Sequence, residues 1–205
     1  MAGRDELIKQ NSEKYFDSVA KTNEEIPEPV LCYGYVLERL REEQGQNLLD
    51  IGCGTGEMLS RIQKEYGDRF TLHGLDLSSE SLKKAAEKCN GSFMHGDVEH
   101  LPYQDGELDV LLCMHSFHHY PHPDQALREM WRVLKEGGRL ILVENHYSTY
   151  RRLRLNVSFF IHRYPQGDIR MYSWKQLRTK VENAGFKLAD QQLIADHSQL
   201  LDCRK

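Results

Sequence analysis

Residues 47–59 read NLLDIGCGTGEML. An apolar run of strand character ends at Ile51 and meets three glycines at alternate positions, Gly52, Gly54 and Gly56. A carboxylate stands on each side of them, Asp50 before and Glu57 after. A glycine-rich turn between a strand and a helix commonly cradles phosphate, so the flanking negative charge needs a reason. The dinucleotide fingerprint GxGxxG would require glycine at position 57 or 59, where Glu57 and Leu59 stand. The pattern is GxGxG. A pyrophosphate on this loop would face both carboxylates, and a site that repels its ligand's charge discriminates against it.

The chain around this loop alternates between strand-like and helix-like patterns, which predicts βαβ units around a parallel sheet. Strands are expected at 47–51, 70–77, 92–98, 108–115 and 139–145, with two more near 186–194 and 198–203. Helical spacing of apolar residues follows the glycine loop (Met58, Leu59, Ile62, Tyr66) and the cap candidates Ser78 and Ser79 (Leu82, Ala85, Ala86, Cys89). A third helix, over Ala126 to Leu134, is expected to stop at Gly137-Gly138. A fourth covers 174–184 behind the N-cap Ser173, and 29–41 reads as a further helix. Two regions fall outside the alternation: residues 1–28, polar apart from Tyr15-Phe16, and residues 147–171. The second carries Arg151, Arg152, Arg154, Arg163 and Arg170 against the one acid Asp168, about +4 in a chain of net charge −4. Connections this long inside a domain are usually functional.

Acids recur where the predicted strands end. Asp76 closes the second, in GLDLS, and Asp97 the third, in GDVEHLP. In an open α/β sheet ligands sit beyond the carboxyl ends of the strands, so Asp50, Asp76 and Asp97 are expected to ring one crevice. Ionised carboxylates only accept hydrogen bonds. The matching ligand offers donors at three separated points and carries positive charge. S-adenosylmethionine does so, with an ammonium, a sulfonium, a ribose diol and an adenine amine, and no phosphate. A lone strand-end Asp is more often a turn former; three in succession behind a glycine loop are harder to dismiss.

The bulk numbers fit a single domain. The chain has 205 residues, 40% hydrophobic and 28% charged, an ordinary globular mixture with room for a full core. A net charge of −4 gives no pull toward nucleic acid or anionic membranes. No apolar run approaches the about 18 residues of a transmembrane helix, so stable membrane insertion is not expected. Cys32, Cys53, Cys89, Cys113 and Cys203 are odd in number and scattered, as in a reduced cytoplasmic protein. The N-terminal MAGRDELIKQNSEKYF has no signal-peptide apolar core.

These motifs together resemble class I S-adenosylmethionine-dependent methyltransferases, especially the small branch (methyltransferase type 11) that includes quinone-biosynthesis C-methyltransferases. LLDIGCGTG looks like that family's first motif, GLDLS like its ribose-binding strand end, and GDVEHLPYQDGELDVLLCMHSFHHY like its adenine motif and fourth strand. ALREMWRVLKEGGRLILVE resembles the helix and fifth strand that follow, with Glu136 where the family commonly has proline. The resemblance implies an α/β, Rossmann-like three-layer sandwich: a mostly parallel seven-stranded sheet of order 3-2-1-4-5-7-6 with helices on both faces. It implies one domain over 1–205, with 1–28 as an N-terminal cap segment and 146–172 as a substrate-covering insertion.

By position, the resemblance puts Gly52, Cys53, Gly54 and Gly56 along the methionyl part of the cofactor with Asp50 near its ammonium. Asp76 and Leu77 fall at the ribose, Asp97 and Val98 at the adenine, and Cys113 and Met114 near the reactive methyl. Tyr15 matches a segment that covers the cofactor. The implied reaction moves a methyl group to an O, N or C nucleophile of a small molecule, leaving S-adenosylhomocysteine. An anionic acceptor would suit the arginines. An acceptor that needs a base could use His119, His146 or Glu144, and the residues do not choose among them. The histidines of HSFHHYPH, near Cys113, invite a metal reading, but the family's paired histidine after strand four implies none, and no metal is expected. The competing functions are a catalytically idle binding fold and a nucleotide-dependent oxidoreductase. The acceptor and the oligomeric state, a homodimer included, stay open.

Overall fold

The computed structural model describes residues 2–22, 30–147, 149–162, 167–194 and 197–205. Seven strands, β1 (Asn47–Ile51), β2 (Thr71–Asp76), β3 (Ser92–His95), β4 (Leu108–Met114), β5 (Leu134–Asn145), β6 (Lys187–Ile194) and β7 (Ser198–Arg204), form one sheet. Its order is β3-β2-β1-β4-β5-β7-β6. The first five strands pair in parallel and β7 inserts antiparallel between β5 and β6. The helices are α1 (Ala2–Thr22), α2 (Val30–Leu40), α3 (Glu57–Tyr66), α4 (Ser79–Lys88), α5 (Pro123–Val133), α6 (Thr149–His162) and α7 (Trp174–Asn183).

Strand alternation divides the core into two apolar layers. Leu49, Ile51, Leu111, Cys113, Leu140 and Leu142 pack with Leu127, Met130, Leu177 and Val181 of α5 and α7. Their neighbours Leu48, Val110, Leu112, Ile141 and Val143 pack with Val36, Leu40, Leu59, Ile62 and Leu82 of α2, α3 and α4. Burial on both faces is why LDVLLCM and LILV read as nearly unbroken apolar runs. The edge strand β6 exposes Lys187 and carries Asp190, charges that discourage further pairing.

Local signals place the helix starts. The Ser78 hydroxyl accepts the Ser81 N–H at the head of α4 (3.1 Å). Ser173 and Gln176 close a reciprocal capping box on α7.

Several expected boundaries move. α5 ends at Val133, not at the glycine pair, because Leu134 already pairs with Leu108. Gly137, at φ +75°, lies within β5, between the Leu134 pairing and the renewed register at Val110–Arg139. β3 stops at His95, and Asp97 opens a 3-10 turn by accepting the Glu99 N–H (2.9 Å). Residues 2–22 and 149–162, outside the sequence alternation, are helices. Pro29, Arg163 and Tyr164 lie outside the described residues, as do the side chains of Phe159 and Phe160.

Candidate functional site

The carboxyl ends of β1 to β4 open into a cavity of about 900 Å³, within the range of small-molecule sites. Asp50, Asp76 and Asp97 all line it, as do Gly52, Cys53, Gly54, Glu57, Leu77, Val98 and Met114. The loop after β1 is held from below, where Gly52 and Cys53 donate their N–H groups to the Leu75 carbonyl (2.7 and 3.2 Å). Gly54 N–H reaches the Asp76 carboxylate at 2.8 Å, and Ser78 N–H donates to its other oxygen at 2.8 Å.

The three glycines have different reasons. All have positive φ, a conformation that costs other residues energy. A Cβ on Gly52 would stand 2.5 Å from Ser116 Cβ, and one on Gly56 2.8 Å from Ala85 Cβ on α4. A Cβ on Gly54 would meet nothing within 4 Å. Gly54 and Gly52 border the cavity; Gly56 does not, and serves the contact between α3 and α4.

The acids differ in their hydrogen bonding. Asp50 is 3% exposed, and its Oδ1 is buried without a hydrogen-bond partner. Burial, then repulsion from Asp76, pushes its pKa up to about 7. Burial also raises the Asp76 carboxyl, partly countered by N–H donors from Ser78, Gly54 and Leu77. Asp97 accepts Lys9 Nζ of α1 at 2.5 Å, and the same ammonium reaches buried Glu99 at 2.5 Å. Helix α1 thereby closes one wall, presenting Lys9, Ser12, Phe16, Val19 and Ala20. These positions share one helical face. Tyr15 lies about 100° round the helix, so its neighbour Phe16 lines the cavity in its place; the two rings meet edge to face at 5.2 Å.

Two further expectations are corrected by strand alternation, and a third, His146, by its place beyond the end of β5. Asp50 and Met114 share the face of Leu48 and Leu112. Cys113 points to the opposite layer, 3.3 Å from Ser116 Oγ and 3.5 Å from Tyr120 OH, and does not border the cavity. Glu144 has the parity of Leu142 and is fully buried, accepting the His118 backbone N–H (3.0 Å) and contacting His118 Nδ1 (2.9 Å). His146 contacts Trp174 edge-on at 6.3 Å and does not line the cavity either. Of the three base candidates only His119 does.

None of the described residues of 146–172 lines the cavity. The 147–171 connection reaches it indirectly, through Asp168, 3.4 Å from His118 Nε2 and 3.3 Å from His119 Nδ1. Burial acts to discharge His118, but Glu144 and then Asp168 outweigh it and its pKa is pushed up to about 10. Burial, then the adjacent His118 charge, pushes His119 down. Sequence reasoning missed Lys9, Tyr33, Ser116, Tyr120 and Asp168. A face spaced 9, 12, 16, 19, 20 was the available signal for α1.

Known proteins share this fold. The methyltransferase in the complex with the Trm112 methyltransferase activator of Haloferax volcanii superimposes with a TM-score of 0.77, at 22% identity, over 92% of this chain and 96% of that one. An S-adenosylmethionine-dependent methyltransferase from Aquifex aeolicus gives 0.72, at 18% identity, over 92% and 97%. At such identities the likeness shows the fold. Residues 49–142 match the family described as a methyltransferase domain. The demethylmenaquinone methyltransferase of Listeria welshimeri is 30% identical over 172 residues, 75% of this chain and 71% of that protein.

The chain belongs to the class I S-adenosylmethionine-dependent methyltransferases.

As a member of this family it is an enzyme whose cofactor is S-adenosylmethionine, and the oxidoreductase reading falls away. The cavity passes a physical test for that cofactor. The buried, unpartnered Asp50 Oδ1 needs a donor, and a cationic one best meets its negative charge. The open side of Gly54 leaves room for a ligand against the backbone. Among the described residues of this methyltransferase, no helix is long and apolar enough to cross a membrane.

Proposed function

We propose that this protein methylates a small hydroxyl-bearing aromatic or quinol-like molecule, working as a single cytoplasmic domain capped by α1. One observation carries the reading: three strand-end carboxylates on one cavity, the most buried of them lacking a donor. Asp50 takes the cofactor's ammonium beside Gly52 and Gly54, Asp76 accepts from the ribose hydroxyls, and Asp97 accepts from the adenine amine with Val98 N–H at the ring edge. S-adenosylmethionine supplies a methyl group already activated on a sulfonium. The protein's contribution is alignment and exclusion of water.

The acceptor class rests on two supports. The Listeria relative is named for a quinone substrate. The cavity wall also carries Phe16, Val19, Tyr33 and Met114, apolar surfaces suited to a flat ring. His119 is the titratable ring among the base candidates that can touch the acceptor. Its partner Asp168 and the edge-on ring of Phe16, 5.4 Å away, orient it.

The test is methyl transfer from labelled S-adenosylmethionine to a panel of phenols, catechols and reduced quinones, read by mass spectrometry of the products. Labelled product from the aromatic hydroxyl compounds is expected. Transfer only to amines or carboxylates would overturn the acceptor assignment. Asp76→Ala should abolish most S-adenosylhomocysteine affinity while leaving the circular dichroism spectrum intact. Retained affinity would refute the ribose role.

A further inference from the structure

Beyond the carboxyl ends of β4 and β5 lies a polar cluster that cofactor binding does not use. Both Glu144 carboxylate oxygens contact His118 Nδ1, at 2.9 and 3.0 Å, which fixes that ring. His118 Nε2 then lies 3.4 Å from Asp168 Oδ1, and His119 Nδ1 lies 3.3 Å from the same oxygen. One ligand atom from each of His118, His119 and Asp168 falls within 4.8 Å of the others. His119 Nδ1 is buried and makes no aligned hydrogen bond. The backbone of Gly167 contacts the same ring.

An imidazolium at His118, bridging two carboxylates, accounts for part of this. It leaves His119 Nδ1 beside Asp168 at 3.3 Å without an aligned hydrogen bond, and it leaves the group Glu144, His118, Asp168 with one net negative charge out of bulk water. The spacings fit something else. They exceed the usual N–H···O separation of about 2.9–3.0 Å. They match the edge of a ligand tetrahedron, about 1.6 times a metal–ligand bond of about 2.0–2.2 Å.

We propose that His118 Nε2, His119 Nδ1 and Asp168 Oδ1 bind a divalent transition-metal ion of the zinc, cobalt or iron type, with Glu144 holding His118 in place. Two neutral imidazoles and one carboxylate are a donor set for such ions. A carboxylate on the far nitrogen of a metal-binding histidine fixes its tautomer and orientation. A dication also neutralises Glu144 and Asp168 together. Loading asks the two imidazoles, now 4.0 Å apart centroid to centroid, to splay outward. Three protein ligands leave a coordination position open. Of the three ligands His119 alone borders the cavity, and its Nδ1 is buried, so the ion would sit behind the cavity wall and fix the His119 ring; this positioning role rests on the methyl-transfer reading, whereas the binding of the ion does not. The histidines invited a metal reading in the sequence, which the resemblance set aside. Asp168, some fifty residues on in sequence, and Glu144 revive that reading.

The experiment is a titration of the chelator-stripped full chain with Co²⁺, followed by visible absorption. The expected result is saturable binding of a single ion with ligand-field bands and no thiolate charge-transfer band. Asp168→Asn and His119→Ala should each abolish those bands, and Glu144→Gln should weaken binding about 10–100-fold. Circular dichroism and cooperative thermal unfolding of the same variants report that they are folded. No binding by the parent chain, bands unchanged in Asp168→Asn and His119→Ala, or a thiolate band would each overturn the site. Loss of S-adenosylhomocysteine binding by the parent chain, with Co²⁺ binding kept, would count against the methyl-transfer reading and leave the metal site standing.

Discussion

Gly54 and Gly56 are two residues apart and have similar φ, +51° and +76°, yet a methyl group meets different surroundings at each. At Gly54 it meets open space, so alanine there carries only the left-handed backbone cost of about 1–2 kcal/mol. At Gly56 it also strikes Ala85, and overpacking raises the total to about 2–4 kcal/mol. Urea denaturation should therefore rank Gly56→Ala as the less stable, while Gly54→Ala should lose more cofactor affinity; the reverse order would contradict the division of roles.

Asp50 makes a pH prediction with a definite sign. Its folded pKa, about 7, is raised above the ordinary 3.8. The free protein therefore holds this proton over a window where the unfolded chain does not. That stabilising contribution is complete below the unfolded value and is lost as pH rises through about 7. A cationic ligand prefers the ionised carboxylate, so S-adenosylmethionine affinity should rise over the same interval. Asp50→Asn should flatten both trends. At this scale much was legible, because acids at strand ends announce themselves by position. The errors at Cys113 and Glu144 came from parity: an apolar run buried on both faces does not say which residue faces which layer.

Among the elements, α1 was the least legible. Its 21 residues are polar on average, and the face it buries is built from small and amphipathic residues, Ser12, Ala20 and Lys9, rather than from a leucine stripe. Tertiary contacts fix it, Lys9 on Asp97 and Glu99 and Asp17 on the Ser78 hydroxyl (2.7 Å). Lys9→Met should speed amide exchange throughout α1 and leave β1 and β4 protected. Unchanged exchange in α1 would show that Lys9 does not anchor it. By contrast α3, α4, α5 and α7 were legible from periodicity and caps, and α5 was over-extended only because a glycine pair looks like a helix stop even when the chain has already entered a strand.

The whole molecule depends on how the antiparallel β7 completes the sheet. Arg139 of β5 donates through Nε (2.9 Å) and Nη2 (2.5 Å) to Asp202 of β7, and its Nη1 approaches Glu43 at 3.5 Å. Both members of the first pair are buried. Removing Asp202 takes away the bidentate partner of a buried guanidinium and leaves it, among the described residues, only the longer contact to an acid, Glu43, so Asp202→Ala should cost about 3 kcal/mol, the lower end of the range for breaking a buried pair. A loss below about 1 kcal/mol, the exposed-pair range, would contradict this. The strand order was foreseen through resemblance, whereas periodicity alone foresaw only alternating strands and helices. The Asp168 contact was illegible, since nothing in a charged connection says which distant histidine it will meet.

The central claim is that the cavity rim accepts hydrogen bonds and so selects a phosphate-free, positively charged nucleoside. Side-by-side calorimetric titrations of the full chain with S-adenosylmethionine and NAD⁺ test it most directly. Saturable binding of S-adenosylmethionine with no measurable NAD⁺ binding is the predicted result; NAD⁺ binding as tightly or more tightly would contradict the account.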